Sequence, residues 1–214
     1  MGGALGKGWA RSGHVIDYAV PDPSDDKHRV TAEAAGGAGL FSVARAVQRA
    51  EAIVLAVPFD AVASALAAAG NLAGRLLIDV TNPLRMGAAG LELSLGFDRS
   101  AAEHVASLAP GAAVFKTLNQ VGFEVMENTA GYAAPPVMFV AGDDAARKPA
   151  VMGLVTELAF HAVDAGDLRV PRLLEPYGML WIHMALDRKA GRDNAFAYLA
   201  RGKELRSGEP KTSR

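Results

Sequence analysis

Apolar positions along the chain follow two alternating patterns. Short aliphatic and β-branched runs recur at "HVIDYAV" (14–20), "AIVLAVP" (52–58), "RLLIDVTNP" (75–83), "AAVFKTLN" (112–119), "PVMFVAGD" (136–143) and "FHAVDAGD" (160–167). The runs at 52–58 and 75–83 are typical of strands buried on both faces of a parallel sheet. Apolar residues at helical spacing lie between them. The alternation predicts βαβ repetition and therefore an α/β fold with a doubly wound parallel sheet.

The helical segments have recognisable ends. An amphipathic helix opens the chain and stops at Ser12-Gly13, and a looser Ala-rich helical region ends near Ala50. Further helices are predicted over 59–69, over 100–108 and after the strand at 136–143. In the helix over 100–108, Glu103 is placed to close a capping box on Ser100. A glycine-containing loop follows the strand at 75–83.

The last part of the chain departs from this alternation. A long apolar stripe at helical spacing, interrupted by Pro176 and Gly178, is formed by Val170, Leu173, Leu174, Tyr177, Leu180, Trp181 and Met184. Such a stripe can pack on the sheet, meet a second subunit or line a pocket. We expect core packing or a homodimer interface. The predicted organisation is a sheet domain over 1–167, a helical segment over 168–202 and a flexible tail over 203–214.

Composition narrows the choice of partners. The 22 Lys and Arg residues balance 23 Asp and Glu, so net charge gives no reason to expect nucleic acid or an anionic membrane as a partner. The chain has no cysteine, which excludes disulfides, thiolate metal sites and a cysteine nucleophile. Apolar runs of about eight residues are too short for a bilayer, which needs about 20, and no signal peptide is recognisable. We expect a cytoplasmic protein.

Candidate chemistry lies at the carboxyl ends of three predicted strands, "AVPFD", "DVTNP" and "KTLNQVG", where open α/β sheets bind ligands. Val57 and Pro58 could form a wall against a planar ring such as nicotinamide. Asn82 and Asn119 could hydrogen-bond a carboxamide or a ribose. Asn-Pro and a proline after a strand are also ordinary turn formers, but three such ends in succession favour a ligand pocket.

Groups for acid and base catalysis are not recognisable in the sequence. No strand-end Lys, His or Tyr stands in the arrangement that a carbonyl-reducing dehydrogenase needs for proton transfer. The five histidines lack metal-ligand spacing, and no G-x-S-x-G elbow is present. We therefore predict neither a metal site nor a catalytic acid or base. Hydride transfer between two redox cofactors held face to face needs neither.

Six motifs together resemble the NADPH-dependent coenzyme F420 reductase family over about residues 2–199. They are "GGALGKGWARSGH", "IVLAVPFD", "LIDVTNPL", "VFKTLNQVG", "MFVAGDD" and "RLLEPYGMLWIHMA". The resemblance implies a Rossmann-type dinucleotide-binding domain over 1–167. It also implies NADP at the glycine-rich turn, and a deazaflavin (coenzyme F420) or flavin-like acceptor stacked on the nicotinamide near the last helix, with hydride passing directly between the rings.

The resemblance assigns cofactor-binding roles to specific positions. By motif position, Gly2 corresponds to the last glycine of the fingerprint, Val57 and Pro58 to the wall beside the nicotinamide, and Asn82 and Asn119 to the strand-end polar residues. The neighbouring residues Gly3, Ala4, Phe59 and Pro83 complete the expected cofactor-binding set. After the second strand the family usually offers an arginine to the adenosine 2'-phosphate, whereas this chain has Pro21-Asp22. Lys27 and Arg29 could compensate. NADP is therefore expected, with NAD possible.

A second departure concerns the start of the chain. The family begins with about ten more residues, which form a central strand and the first glycines of G-x-G-x-x-G. Without that strand we expect two rows of unpaired backbone groups in the sheet and weaker binding of the pyrophosphate. Two interpretations stay open: the natural protein is longer, or this form is impaired in nucleotide binding.

Two other functions remain open from the sequence. One is a non-catalytic dinucleotide-binding or partner-binding module whose C-terminal helix serves dimerisation. The other is a reductase of a small imine or carbonyl substrate, as in the related pyrroline-carboxylate reductases. Those enzymes carry a longer helical dimerisation domain than this chain offers after the sheet.

Overall fold

The computed structural model describes residues 1–34, 38–88 and 90–201, apart from the side chains of Lys27 and Thr31. The strands are β1 (Asp17–Val20), β2 (Gly39–Ser42), β3 (Ala52–Leu55), β4 (Leu76–Asp79), β5 (Leu84–Gly87), β6 (Gly90–Leu93), β7 (Ala113–Lys116), β8 (Val137–Gly142) and β9 (His161–Gly166). The α-helices are α1 (Gly2–Arg11), α2 (Asp26–Ala34), α3 (Val43–Arg49), α4 (Val62–Ala69), α5 (Ala101–Leu108), α6 (Phe123–Glu127), α7 (Lys148–Glu157) and α8 (Pro171–Ile182).

Five strands form the main sheet, in the order β3-β4-β7-β8-β9. β3, β4 and β7 run parallel, as do β8 and β9, which confirms the predicted α/β fold with a mostly parallel sheet. Within this sheet β8 pairs antiparallel to β7, so β8 and β9 run opposite to the other three strands. The connection between β7 and β8 contains the five-residue α6, which packs against α1 and does not serve as a full crossover helix.

The first two strands form a separate parallel pair, β1-β2. Within the described residues no strand lies between β1 and β3, so each of these strands pairs along one edge. This agrees with the predicted fold that lacks its first strand. Helices α1 and α3 connect the two sheets: α3 contacts β1, β2 and α4, and the Tyr18 hydroxyl under α1 donates to the Gly3 carbonyl at 3.5 Å.

Two apolar layers cover the main sheet because its side chains alternate between faces. Leu77 and Val114 belong to the layer under α3, α4 and α5. Ile78 and Phe115 belong to the layer under α1, α6, α7 and α8. A residue in a central strand is therefore buried whichever face it occupies, and a charged side chain there needs a partner from another element.

Several short elements differ from the sequence predictions. The Ala-rich region predicted to be helical contains β2 between α2 and α3, and the predicted loop after β4 contains the β5-β6 hairpin, where Arg85 pairs with Glu92 at 2.8 Å. The predicted capping box is confirmed: Glu103 N–H donates to Ser100 Oγ at 3.1 Å, and Ser100 N–H donates to Glu103 Oε2 at 2.9 Å.

The C-terminal segment is more continuous than its Pro and Gly residues suggested. Helix α8 passes through Pro176 and leads into a π-helical turn, His183–Asp187. The chain then returns to the sheet: Trp181 Nε1 donates to Asn194 O at 2.7 Å, and Val137 N–H donates to Phe196 O at 2.9 Å. The tail predicted over 203–214 lies outside the described residues. Within the described part of the chain, no helix is both long and apolar enough to span a bilayer.

Candidate functional site

The carboxyl ends of β4 and β7 lie side by side. The two strands pair in parallel with Asp79 opposite Lys116, so the segments 79–83 and 116–120 leave the sheet together. Strand β3 pairs with β4 on its other edge, with Leu55 opposite Asp79. The three strand ends chosen from the sequence therefore meet at one edge of one sheet, which is the ligand-binding edge of open α/β folds.

Two of the predicted binding residues contact each other directly. Asn82 Nδ2 donates to the Asn119 carbonyl at 2.8 Å, and Asn119 Nδ2 donates to Asn82 Oδ1 at 3.0 Å. Asn119 is buried and also donates to the Leu174 carbonyl at 3.3 Å, whereas Asn82 is half-buried. Much of the bonding capacity of this amide pair is thus used within the protein, and Asn82 is the member that a ligand can reach. Pro83, beside it, is buried.

The backbone at this edge is held in an unusual conformation. Leu118 has φ of 58°, a left-handed value that side-chain-bearing residues seldom adopt. The next residues fix it in place: Gln120 Nε2 donates to the Phe139 carbonyl at 3.0 Å, and Phe139 N–H donates to Gln120 Oε1 at 2.9 Å. Backbone strain of this kind persists where surrounding contacts determine it and is common at binding sites.

Helix α8 crosses the same edge, and Gly178 makes its approach possible. A Cβ on Gly178 would lie 2.8 Å from the Asn119 carbonyl oxygen and 3.1 Å from Asn82 Oδ1. A larger residue would therefore separate the helix from the amide pair. From the sequence, Gly178 was interpreted as an interruption of the helix. A glycine inside an otherwise apolar stripe was the available signal of a close approach.

A buried charge cluster lies beneath the amide pair. Lys116 Nζ donates to Asp79 Oδ2 at 2.9 Å and to the Thr81 carbonyl at 2.5 Å, and it forms an ion pair with Glu175 Oε1 at 3.2 Å. Lys116 and Asp79 are fully buried and Glu175 nearly so. Glu175 also accepts from two backbone N–H groups at the start of α5. Burial raises the pKa of Glu175, against the opposing effect of the Lys116 ammonium.

Sequence reasoning missed this cluster. The signal was a single charge within each of two apolar strands, Asp79 in "LLIDV" and Lys116 in "VFKTL". Lys116 is a lysine at a strand end, but its full burial removes it from any role as a surface proton donor. Two hydroxyls at the same strand ends, Thr81 Oγ1 and Thr117 Oγ1, are buried and have no hydrogen-bond partner among the described residues.

The predicted glycine-rich turn lies next to the end of β3. A Cβ on Gly2 would be 3.5 Å from Ala56 Cβ, and Ala4 is buried in the core beside it. Helix α1 therefore begins against the residue that precedes Val57. The structure brings Gly2, Gly3 and Ala4 to the strand end that carries Val57, Pro58 and Phe59.

The predicted ring wall is partly accessible. Val57 and Phe59 are half-buried and Pro58 is exposed. The Phe59 ring packs edge-on against His104, with 6.0 Å between ring centroids. Both Val57 and Phe59 pack on the apolar layer under α3, α4 and α5, and Pro58 lies between them at the surface.

The residues predicted near the adenosine phosphate lie at the end of β1. The side chain of Lys27, in α2, is outside the described part of the chain, and Arg29 pairs with two carboxylates of its own helix at 3.2 and 3.8 Å. Asp22 accepts hydrogen bonds from the Ser24 hydroxyl and N–H, which lower its pKa. Asp22 is thus negatively charged at neutral pH.

Comparison with known proteins finds a family model that matches the first part of the chain. Residues 1–83 match the family described as NADP oxidoreductase, coenzyme F420-dependent. That range contains α1, the end of β3 and the Asn82-Pro83 turn, so it includes most of the predicted binding residues.

Solved structures extend the similarity over the rest of the chain. A candidate F420-dependent NADP reductase from Arthrobacter sp. FB24 shares 26% identity over 92% of this chain and 94% of that one, with a TM-score of 0.84. A hypothetical protein from Sinorhizobium meliloti shares 24% identity over 78% of this chain and 80% of its own, with a TM-score of 0.68.

A more distant neighbour shares the fold. A reductive aminase from Aspergillus terreus, solved with NADPH and ethyl levulinate, shares 17% identity over 87% of this chain and 58% of its own length, with a TM-score of 0.61. These findings confirm the family resemblance that the motifs indicated. Residues 1–83 match the family of coenzyme F420-dependent NADP oxidoreductases, and the similarities together support an NADP-linked oxidoreductase.

Proposed function

We propose that this protein transfers hydride between NADP(H) and a deazaflavin such as coenzyme F420, or a flavin-like acceptor. The observation that carries the proposal is the position of Gly2 against Ala56. It brings the glycine-rich start of α1 to the apolar strand end within the segment that matches the family.

The residues at the start of α1 fit the pyrophosphate of a dinucleotide. The first N–H groups of a helix have no acceptor within the helix, and α1 begins with two glycines that allow a phosphate to approach the backbone. We propose that Gly2, Gly3 and Ala4 hold the pyrophosphate through these N–H groups. Lys27 is proposed to lie near the adenosine phosphate, because α2 follows the end of β1.

The nicotinamide is proposed to lie against Val57, Pro58 and Phe59, with its carboxamide toward Asn82. Pro83 and Asn119 shape that turn, the latter through its hydrogen bonds with Asn82. The Thr81 hydroxyl, buried and without a partner among the described residues, is a further donor at this edge. When bound, NADPH supplies the hydride, and the protein supports the transfer by orienting the ring and excluding water from one face.

Nucleotide titration followed by an acceptor assay tests this function. NADPH and NADH are titrated by calorimetry, and NADPH oxidation is then followed with coenzyme F420 and, separately, with FMN. Binding of NADPH with steady oxidation supports the proposal. Binding without oxidation by either acceptor leaves a non-catalytic dinucleotide-binding module. If NADPH does not bind at concentrations below millimolar, the proposed function is refuted. Tighter NADH binding would identify Asp22 as a ribose ligand in place of a 2'-phosphate site.

We also propose that the protein forms a homodimer through α8. Its inner side contributes Leu174 and Trp181 to the fold, but Leu173 and Leu180 are 65% and 48% exposed, and Leu186 beyond it is 47% exposed. Sedimentation equilibrium tests the proposal. A dimer that dissociates in Leu173→Lys/Leu180→Lys supports it, and a monomeric wild-type protein at tens of micromolar contradicts it.

A further inference from the structure

We infer that the buried Lys116 ammonium fixes α8 on the carboxyl ends of β4 and β7, and so positions the Asn82-Asn119 pair beneath it. Lys116 touches no predicted ligand surface, because its side chain is fully buried. It is thus a positioning residue. The consequence for the nicotinamide rests on the proposed function, but the placement of α8 does not.

Two hydrogen bonds and one ion pair connect Lys116 to both sides of the site. Its Nζ donates to the Thr81 carbonyl, the residue before Asn82, and to Asp79, whose Oδ1 accepts from Thr81 N–H at 2.9 Å. The turn that carries Asn82 is thereby held at two backbone atoms. Asn119, the other member of the amide pair, follows Lys116 by three residues along the chain.

The ion pair connects the cluster to α8. Glu175 lies 3.2 Å from Lys116 Nζ and accepts from Ala101 and Ala102 N–H at 2.9 and 3.2 Å. Gly178, one helical turn later, is the point where α8 lies against the amide pair. The position of Glu175 therefore determines how closely the helix approaches Asn82 and Asn119.

Charge balance makes this position depend on Lys116. Asp79 and Glu175 are two buried carboxylates that share one ammonium as their cation. Removal of one partner of a buried ion pair leaves an uncompensated charge, which is strongly unfavourable. Glu175 belongs to a helix that packs on the sheet through its side chains, whereas Asp79 belongs to a strand that is hydrogen-bonded to a neighbour on each edge. Loss of Lys116 is thus expected to displace α8 and leave the sheet in place.

Trp181 gives a readout that does not depend on activity. It is 4% exposed, lies on α8 and is the tryptophan that remains after Trp9→Phe. In that background, Lys116→Met is expected to shift the Trp181 emission to the red and raise its quenching by acrylamide, with unchanged far-UV circular dichroism. The double variant Lys116→Met/Glu175→Gln removes the unpaired charge of α8 and is expected to restore much of the wild-type emission.

Lys148→Met is the matched control. Lys148 also pairs with a carboxylate, Asp164, and a backbone carbonyl, Gly166, both at 2.8 Å, but at β9 and away from the amide pair. It should leave Trp181 emission unchanged. If Lys116→Met fails to fold, Glu175→Gln alone is measured and should show a smaller red shift. Unchanged Trp181 emission in every folded Lys116 and Glu175 variant would overturn the inference.

NADPH kinetics then separate the two proposals. With coenzyme F420 as acceptor, Lys116→Met is expected to lower kcat more than it changes the KM for NADPH, because the pyrophosphate contacts lie at α1. A misplacement of about 1 Å costs about 100-fold in rate. Equal kcat in wild type and Lys116→Met, with displaced Trp181, would refute positioning of the amide pair. If the wild-type protein does not bind NADPH, the proposed function is refuted. The Trp181 emission then still tests whether Lys116 fixes the position of α8.

Discussion

At the residue scale, Gly178 shows how a missing side chain can shape a site. The space in front of it is filled by the Asn119 carbonyl and the Asn82 side chain, neither of which can retreat without breaking their mutual hydrogen bonds. Gly153 in α7 is different, since a Cβ there would meet no atom within 4 Å. Both glycines lie in helices, but only Gly178 is required by the close approach of neighbouring atoms.

Alanine substitution at these two positions should therefore act in opposite directions. Gly178→Ala is expected to lower the free energy of unfolding by about 1–3 kcal/mol through overpacking. Gly153→Ala is expected to raise it by about 0.5–1 kcal/mol through helix propensity. Urea unfolding measures both. NADPH affinity should fall in the former variant and stay unchanged in the latter. Equal stability of the two variants would show that α8 can move away from Asn119 at no cost.

At the element scale, α5 and α8 are joined at their first turns. Arg172 Nε and Nη2 donate to the two carboxylate oxygens of Glu103 at 2.9 and 2.6 Å, beside the capping box of α5. Hydrogen bonds from Arg172, which have the largest effect, and from Ser100 together lower the pKa of Glu103 from its ordinary 4.5 to about 2. The local signal of the cap was visible in the sequence, but its partner on α8 was not.

This contact predicts a defined pH dependence. Because the folded pKa of Glu103 lies below its unfolded value, the pair contributes stability above pH 4.5 and loses it as the pH falls toward 2. The difference in unfolding free energy between wild type and Arg172→Met should be largest at pH 7 and shrink between pH 4.5 and 3. Urea titrations at several pH values measure it.

Arg85→Met is the control for that experiment. Arg85 and Glu92 form an exposed pair in the β5-β6 hairpin, with side chains 62% and 45% accessible. Exposed pairs contribute about 0–1 kcal/mol, so this variant should differ little from wild type at any pH. A constant difference for Arg172→Met from pH 7 to 3 would mean that Glu103 is not stabilised by Arg172.

At the scale of the whole molecule, the sheet is divided. β1 and β2 form a two-stranded unit, and such units are marginally stable without packing from other elements. They are held through α1 and α3, whereas β4 has a strand on each side. Stability should thus be unevenly distributed between the two sheets.

Hydrogen exchange measured by mass spectrometry tests this distribution. Amides of β1 and β2 are expected to exchange faster than those of β4 and β7 in the free protein. If the proposed function is correct, saturating NADPH should slow exchange in the first turn of α1 and at the end of β3. Equal protection of β1 and β4 in the free protein would contradict the division of the sheet into two units of unequal stability.

The sequence alone determined the features that depend on local patterning. Strand burial, helix periodicity and the Ser100-Glu103 cap are each encoded within a few neighbouring residues, and the structure contains all three. The parallel order of β3, β4 and β7 follows from helical crossovers between buried strands, and the motifs indicated the family. The meeting of the strand ends at one edge, and with it the contact of Asn82 and Asn119, is a consequence of that order.

Tertiary structure decided what depends on residues distant in sequence. The antiparallel direction of β8 has no local signal, and β2 and the β5-β6 hairpin have weak ones, so pairing partners determined all three. Lys116, Asp79 and Glu175 lie on three elements, and periodicity reports only that each position is buried or exposed. A buried charge needs a partner, which can come from any element that packs nearby. Glu175 lies on α8, and only the packing of α8 on the sheet places it beside Lys116.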